Sequence, residues 1–210
     1  AMLPEAALTS FIAALLSMMN PIGNVGIFAG LTEGQAAHDI RHSAWLCALA
    51  SAITLLVMTW GGTQILAFFG VTVDMLRAAG GIIVLRIGLN MLSNTSDHHS
   101  SQSEKDDAEA RDEIGIIPMA IPIVAGPGSM ATVLIASQQG ALLGKAEISV
   151  VIIALAALTG LLFSFAAPIA RTMGAAGMGI VTRVMGMILT AIAIGMLAEG
   201  LAKLLPGLAG

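Results

Sequence analysis

The sequence predicts an all-α membrane protein, with six transmembrane helices built as two inverted three-helix repeats and helices 1 and 4 broken at mid-membrane. Three observations predict it. The 210 residues are 57% hydrophobic and only 10% charged, with a mean hydropathy of +0.91, whereas a soluble domain carries about 25% charged residues. The apolar residues fall into six stretches of spanning length. Landmark residues also coincide when the chain is shifted by 106 positions.

The elements follow in order. A crossing needs about 20 apolar residues at about 1.5 Å each. Spans are expected at 3–31, 45–69, 73–92, 114–137, 148–170 and 181–201. Between the third and fourth lies 93–113, which carries Asp97, Glu104, Asp106, Asp107, Glu109, Asp112 and Glu113. That composition favours a solvated loop. The chain thus divides into a first repeat (1–92), an acidic cytoplasmic loop (93–113) and a second, inverted repeat (114–210). Six spans put both termini on one face. Arg41, Lys105, Arg111, Arg171 and Arg183 fall on the face of the long loop, against Arg77, Lys145 and Lys203 on the other. By the positive-inside rule the loop is cytoplasmic and both termini lie outside the cytoplasmic membrane. Ala1 ahead of Met2 reads as an addition to the natural chain, and without a basic region before the first span no signal peptide is expected.

Composition also excludes function classes. Nine Lys+Arg against thirteen Asp+Glu leave a net charge of -4 and no basic patch for nucleic acid. A single cysteine, Cys47 in an apolar run, excludes an internal disulfide.

At the 106-residue offset Pro21 meets Pro127, Gly34 meets Gly140, Arg77 meets Arg183, Gly80 meets Gly186 and Ile82 meets Ile188. Each unit then holds three spans, an odd number, so the second enters the membrane upside down. Secondary transporters use this arrangement, with the substrate near the midplane.

Two Pro-Gly clusters interrupt spans. The first is Asn20-Pro21-Ile22-Gly23-Asn24 and the second Ala125-Gly126-Pro127-Gly128-Ser129. Proline removes a donor and clashes with the preceding turn, and glycine permits unusual dihedrals. From Pro21 to Leu31 is about 16 Å of helix, roughly half the hydrocarbon core, and from Pro127 to Gln138 about 18 Å. Both breaks are therefore expected at mid-depth, where bare backbone survives only if it is buried in protein or lines a cavity. The amides of Gly23, Asn24, Gly128 and Ser129 would point inward as an anion site. The carbonyls of Met19, Asn20, Ala125 and Gly126 and the Asn20 side chain would accept from an ammonium group. The expected substrate-binding set is Asn20, Pro21, Gly23, Asn24, Gly126, Pro127, Gly128, Ser129 and Thr132. The competing reading is a pair of proline kinks serving helix packing alone.

These residues resemble the MarC family of integral membrane proteins, which includes SnatA-type transporters of small neutral amino acids. The similarity is carried by 20–24, by Met75-Leu76-Arg77-Ala78-Ala79-Gly80-Gly81-Ile82, by Pro118-Met119-Ala120-Ile121-Pro122 leading into 125–129, and by Thr182-Arg183-Val184-Met185-Gly186. It spans nearly the whole chain except the acidic loop. The resemblance implies six spans, an outside N-terminus and, for some members, transport of glycine, alanine and similar amino acids.

The remaining polar residues are read more plainly. Arg77 and Arg183 each open a span as Arg-x-x-Gly, either as gating charges or as interfacial anchors, and Arg77 can pair with Asp74. Glu199 is expected to pair with Lys203, and Arg86 to reach toward the cytoplasmic face. His38 with His42, and His98 with His99, lack a further ligand set, so no metal or cofactor is expected. Gly26, Gly30 and Gly34 form a small-residue stripe suited to close packing. No carboxylate lies deep in a span, which leaves the coupling ion, proton or sodium, unassigned. The expected function is secondary transport of a small zwitterionic amino acid (glycine, alanine or serine), non-enzymatic, with a homo-oligomer left open. The rival is a non-transporting scaffold or channel of the same fold.

Overall fold

The computed structural model describes residues 3–32, 34–93, 124–205 and 207. Among these the chain is all-helical. The helices are α1 (Glu5–Met19), α2 (Val25–Leu31), α3 (Ala37–Phe68), α4 (Val73–Ser93), α5 (Pro127–Gln139), α6 (Leu142–Ser164) and α7 (Ala166–Leu204). Four of them, α3, α4, α6 and α7, are long and apolar enough to cross a membrane. The acidic loop, the 118–122 motif, His98, His99 and the upstream half of the fourth expected span lie outside the described residues.

The first expected span, 3–31, is two helices rather than one. α1 has 15 residues and α2 has 7, about 22 and 10 Å. Neither reaches across alone. The chain leaves α1 at Asn20, which adopts a left-handed conformation (φ 44, ψ 53). The fifth and sixth expected spans also shift. α6 starts at Leu142 and stops at Ser164, Phe165 is a turn, and residues 166–170 pass to the next element. α7 is interrupted at Gly174, where φ 64 and ψ 175 leave helical space. Only glycine takes such a conformation cheaply. The piece before it carries Pro168 in its first turn, where the missing donor costs little.

The faces sort by solvent. On α3, Trp45, Leu49, Ile53, Val57 and Trp60 form an exposed stripe. The two tryptophans stand fifteen residues apart on that stripe, about 22 Å along the helix. The opposite face of α3 buries Ala44, Cys47, Ala48, Ser51 and Leu55 against α6. At one end of that pair Trp60 Nε1 donates to Ser149 Oγ at 3.2 Å, with Lys145 Nζ 5.8 Å above the indole. At the other end Gly160 lies against Ala48 and Trp45. The helices run antiparallel, and the midpoint of their contact falls near Ser51 and Ala157.

α4 and α7 make the most extensive contact in the molecule. A Cβ on Gly81 would sit 2.9 Å from the Ala193 carbonyl oxygen and from the Leu197 nitrogen. One on Gly88 would sit 3.0 Å from the Gly186 oxygen, and one on Gly200 3.0 Å from the Asp74 oxygen. Backbone therefore touches backbone at steps of seven residues along both helices, α4 descending as α7 rises. The register brings Leu85 level with Ala191. These two residues stand 106 positions apart, as do Ser51 and Ala157 in the α3–α6 pair.

Without a hydrophobic force between helices in lipid, such close approach supplies the association energy. Gly81→Ala is expected to cost about 1–3 kcal/mol by overpacking. Gly179→Ala, where nothing lies within 4 Å, should be neutral or stabilising by up to about 1 kcal/mol. Thermal unfolding of the detergent-solubilised protein checks both.

Candidate functional site

The interruption after α1 is closed by its own side chains. Asn20, Pro21, Gly23 and Asn24 are all buried. Asn20 Oδ1 accepts from the Gly23 amide at 3.2 Å, and the Asn20 carbonyl accepts from the Asn24 amide at 3.0 Å. Asn24 Nδ2 donates back to the Met19 carbonyl at 3.1 Å. A Cβ on Gly23 would run into the Asn20 carboxamide, so only glycine fits beneath that cap.

The second interruption repeats one of these contacts. Gly126, Gly128 and Ser129 are buried and Pro127 is partly so. Ser129 Oγ donates to the Val124 carbonyl at 3.0 Å, five residues back, as Asn24 does to Met19. Pro127 occupies the first helical position of α5, a site proline suits because its missing donor would be unused there. The first turn closes with Met130 N donating to the Gly126 oxygen at 3.0 Å, which leaves the amides of Gly128 and Ser129 ahead of the ladder. Thr132 Oγ1 donates to the Gly128 oxygen at 2.8 Å.

These bonds correct the sequence expectation in part. The amides of Gly23 and Asn24 do not point free into a pocket. Asn20 satisfies both. Pro21 does not start a half-helix either, because α2 begins at Val25 and Pro21 sits in the preceding turn. Of the four carbonyls expected to receive an ammonium, those of Met19, Asn20 and Gly126 each already accept a bond. The reason is burial: a backbone group cut loose in a membrane interior takes whatever nearby partner geometry allows.

The two interruptions do meet. A Cβ on Gly128 would sit 3.0 Å from Met18 Sδ and would overlap Val84 Cγ2. Met18 lies two residues before Asn20, and Val84 lies at the middle of α4. The Pro127 carbonyl in turn faces Gly80 of α4. The centre between the breaks is apolar. Met18, Val84, Leu189 and Ala193 form a buried cluster, with Met91 and Met196 packed on it. Asn20 Nδ2 reaches Met91 Sδ at 3.8 Å. Sequence reasoning missed Met18, Val84 and Met91. In an apolar run nothing in the sequence marks them.

A cavity of about 350 Å³ opens beside α2, lined by Gly26, Ala29, Gly30, Thr32, Gln35 and Arg171 among others. It reaches to within two residues of Asn24, and the glycine stripe that reads as packing surface in the sequence borders it.

The arginines behave differently from each other. Arg77 Nη1 lies 3.2 Å from Glu199 Oε2 across the α4–α7 contact and 3.8 Å from Asp74 Oδ1. Its Nε is buried with no partner among the described residues. Glu199 thus pairs with Arg77 and not with Lys203, because α4 brings a charge nearer than the next turn does. Arg183 and Arg86 are exposed. Among the described residues no three His, Cys, Asp or Glu side chains gather as metal ligands.

Four long apolar helices around such a centre define an integral, multi-pass membrane protein. The chain belongs to the MarC family of integral membrane proteins, whose sequence profile matches residues 6–205. It is 36% identical over 196 residues to the UPF0056 membrane protein YvbG of Bacillus subtilis, covering 92% of this chain and 93% of that one. It is 31% identical over 200 residues to the UPF0056 membrane protein YhcE of Escherichia coli, covering 94% and 93%. A UPF0056 membrane protein of Methanocaldococcus jannaschii is 33% identical over 190 residues, covering 90% and 93%. No solved structure matches the chain.

Asn24→Ala and Ser129→Ala each remove one buried side-chain bond and should each cost about 1 kcal/mol. Asn20→Gly, which keeps the left-handed backbone, should be milder than Asn20→Ala by about 1 kcal/mol. Thermal midpoints of the four purified variants check the ranking.

Proposed function

We propose that this protein is a secondary transporter of small neutral amino acids, of the SnatA type, in the cytoplasmic membrane. In this reading two inverted three-helix units surround a midplane site between the broken first and fourth spans. The antiparallel α3–α6 and α4–α7 pairs, each centred on residues 106 apart, support the inverted repeat. In-plane two-fold symmetry has that register as its consequence.

One observation carries the functional reading. Polar groups of both interrupted segments flank one apolar cluster on α4, Gly128 against Val84 and Asn20 against Met91 seven residues further on, in the part of the fold where such transporters hold substrate. The Asn20 carboxamide contributes from one side. The Gly128 and Ser129 amides, with the positive end of the α5 dipole, contribute from the other. A carboxylate suits these donors. The glycine-lined approach leaves room for a small side chain only. The cavity beside α2 supplies a path from the face that holds Arg171 toward Asn24. Rocking of one unit against the other would give alternating access. The activity is non-enzymatic, with proton or sodium as the coupling ion. The apolar closure of the centre by methionines is the observation that favours the rival, a non-transporting scaffold or channel.

Purified protein in liposomes is expected to carry labelled glycine or alanine. Asn20→Gly should cut the rate at least tenfold with folding intact, while Gly179→Ala, which meets nothing within 4 Å, should leave it unchanged. Absence of flux and of any thermal shift across an amino-acid panel would instead favour the scaffold. Orientation is tested in a Cys47→Ala background. With both termini outside, Leu142→Cys should react with an impermeant maleimide in intact cells, and His38→Cys only after permeabilisation.

A further inference from the structure

Asn20 combines three features that packing does not require. Among the described residues it is the one non-glycine with a positive φ. It is 4% exposed. Its carboxamide is only half used: Oδ1 accepts from the Gly23 amide at 3.2 Å, while among the described residues Nδ2 has only Met91 Sδ, 3.8 Å away. A thioether is a weak acceptor. A primary amide donor buried in a membrane protein and facing only sulfur is held short of a proper oxygen partner. Strain kept at a buried position points the same way, since such strain collects where a ligand is handled.

Met91 is suited to yield. Its Cβ is fixed, because it lies 2.9 Å from where a Cβ on Gly186 would stand, on the α4–α7 contact. Beyond Cβ the side chain is unbranched and readily changes rotamer. It packs on the Met18, Val84, Leu189 and Ala193 cluster that fills the space between the two interruptions. Swinging it away would uncover Nδ2 and vacate a volume comparable to glycine or alanine, and too small for leucine.

We propose that the Met91 thioether is a placeholder for substrate, occupying the position of a carboxylate oxygen of a small zwitterionic amino acid and surrendering the Asn20 Nδ2 donor when that ligand enters. Met91 is thereby a specificity-determining residue of the site. The inference rests on the transporter reading above and names the contact that reading lacked.

Thermal unfolding and calorimetric titration with glycine, alanine and leucine test it on the full-length protein in detergent. Met91→Leu conserves volume but offers no acceptor. It should lower the melting point of the ligand-free protein and enlarge the glycine-dependent shift at least twofold. Met91→Gln, which supplies a strong acceptor for Asn20, should do the reverse, raising the melting point and weakening glycine binding at least tenfold. The opposite signs keep the test decisive if one variant folds poorly. Met91→Ala should admit leucine. In an Asn20→Gly background all these differences should vanish. A Met91→Leu effect of equal size in both backgrounds, or unchanged glycine binding in both Met91→Leu and Met91→Gln, overturns the placeholder while the transporter reading stands. A wild-type protein that responds to no amino acid overturns both.

Discussion

Two helices touching backbone to backbone hold this molecule together. α4 and α7 approach so closely that Gly81, Gly88, Gly186 and Gly200 have no room for a side chain, and Ala193 supplies the remaining contact. In lipid, apolar side chains gain nothing by leaving one hydrocarbon surface for another, so association depends on packing of this kind. The seven-residue step keeps the small residues in line along both helices. Because the contact is antiparallel and holds Val84 against Leu189 and Ala193, it also fixes where everything else can meet. The start of α5 presses Gly128 on Val84, and α1 delivers Met18 to the same place.

Around that centre the chain must pay for two interruptions without water. It does so with short side chains bonded five residues back, Asn24 to Met19 and Ser129 to Val124, and with Asn20 capping Gly23. These bonds remove most of the loose backbone groups that an interrupted helix would offer a ligand. What remains is narrower and more specific: the second donor of Asn20 and the leading amides of α5. Recognition in the proposed transporter thus shifts from two helix ends to one carboxamide and one helix end.

Charge distinguishes the two ends of the α4–α7 contact. At one end Arg77 ties Glu199 of the opposite helix to Asp74 of its own. At the other, Arg183 is exposed and lies level with Ser93. Exposed ion pairs contribute little on their own, in the range of about 0–1 kcal/mol. The buried Arg77 Nε nevertheless marks the first end as the more tightly constrained. The two ends of the contact therefore differ in their chemistry.

The sequence by itself determined the membrane class, the apolar stretches that become the long helices, and the stops at Asn20 and ahead of Pro127. Hydropathy is a sum over residues, and Pro with Gly acts on its own backbone, so both are local quantities. It also singled out Asn20, Gly128 and Ser129, because a polar or small residue beside a helix breaker stands out in an apolar stretch. Only tertiary structure decided which donors were already satisfied, that Glu199 answers to Arg77, and that Met18, Val84 and Met91 close the centre. A methionine or valine in an apolar run carries no mark of its neighbours. Partners across helices depend on register and crossing distance, and those emerge only when the glycines of α4 and α7 come into contact.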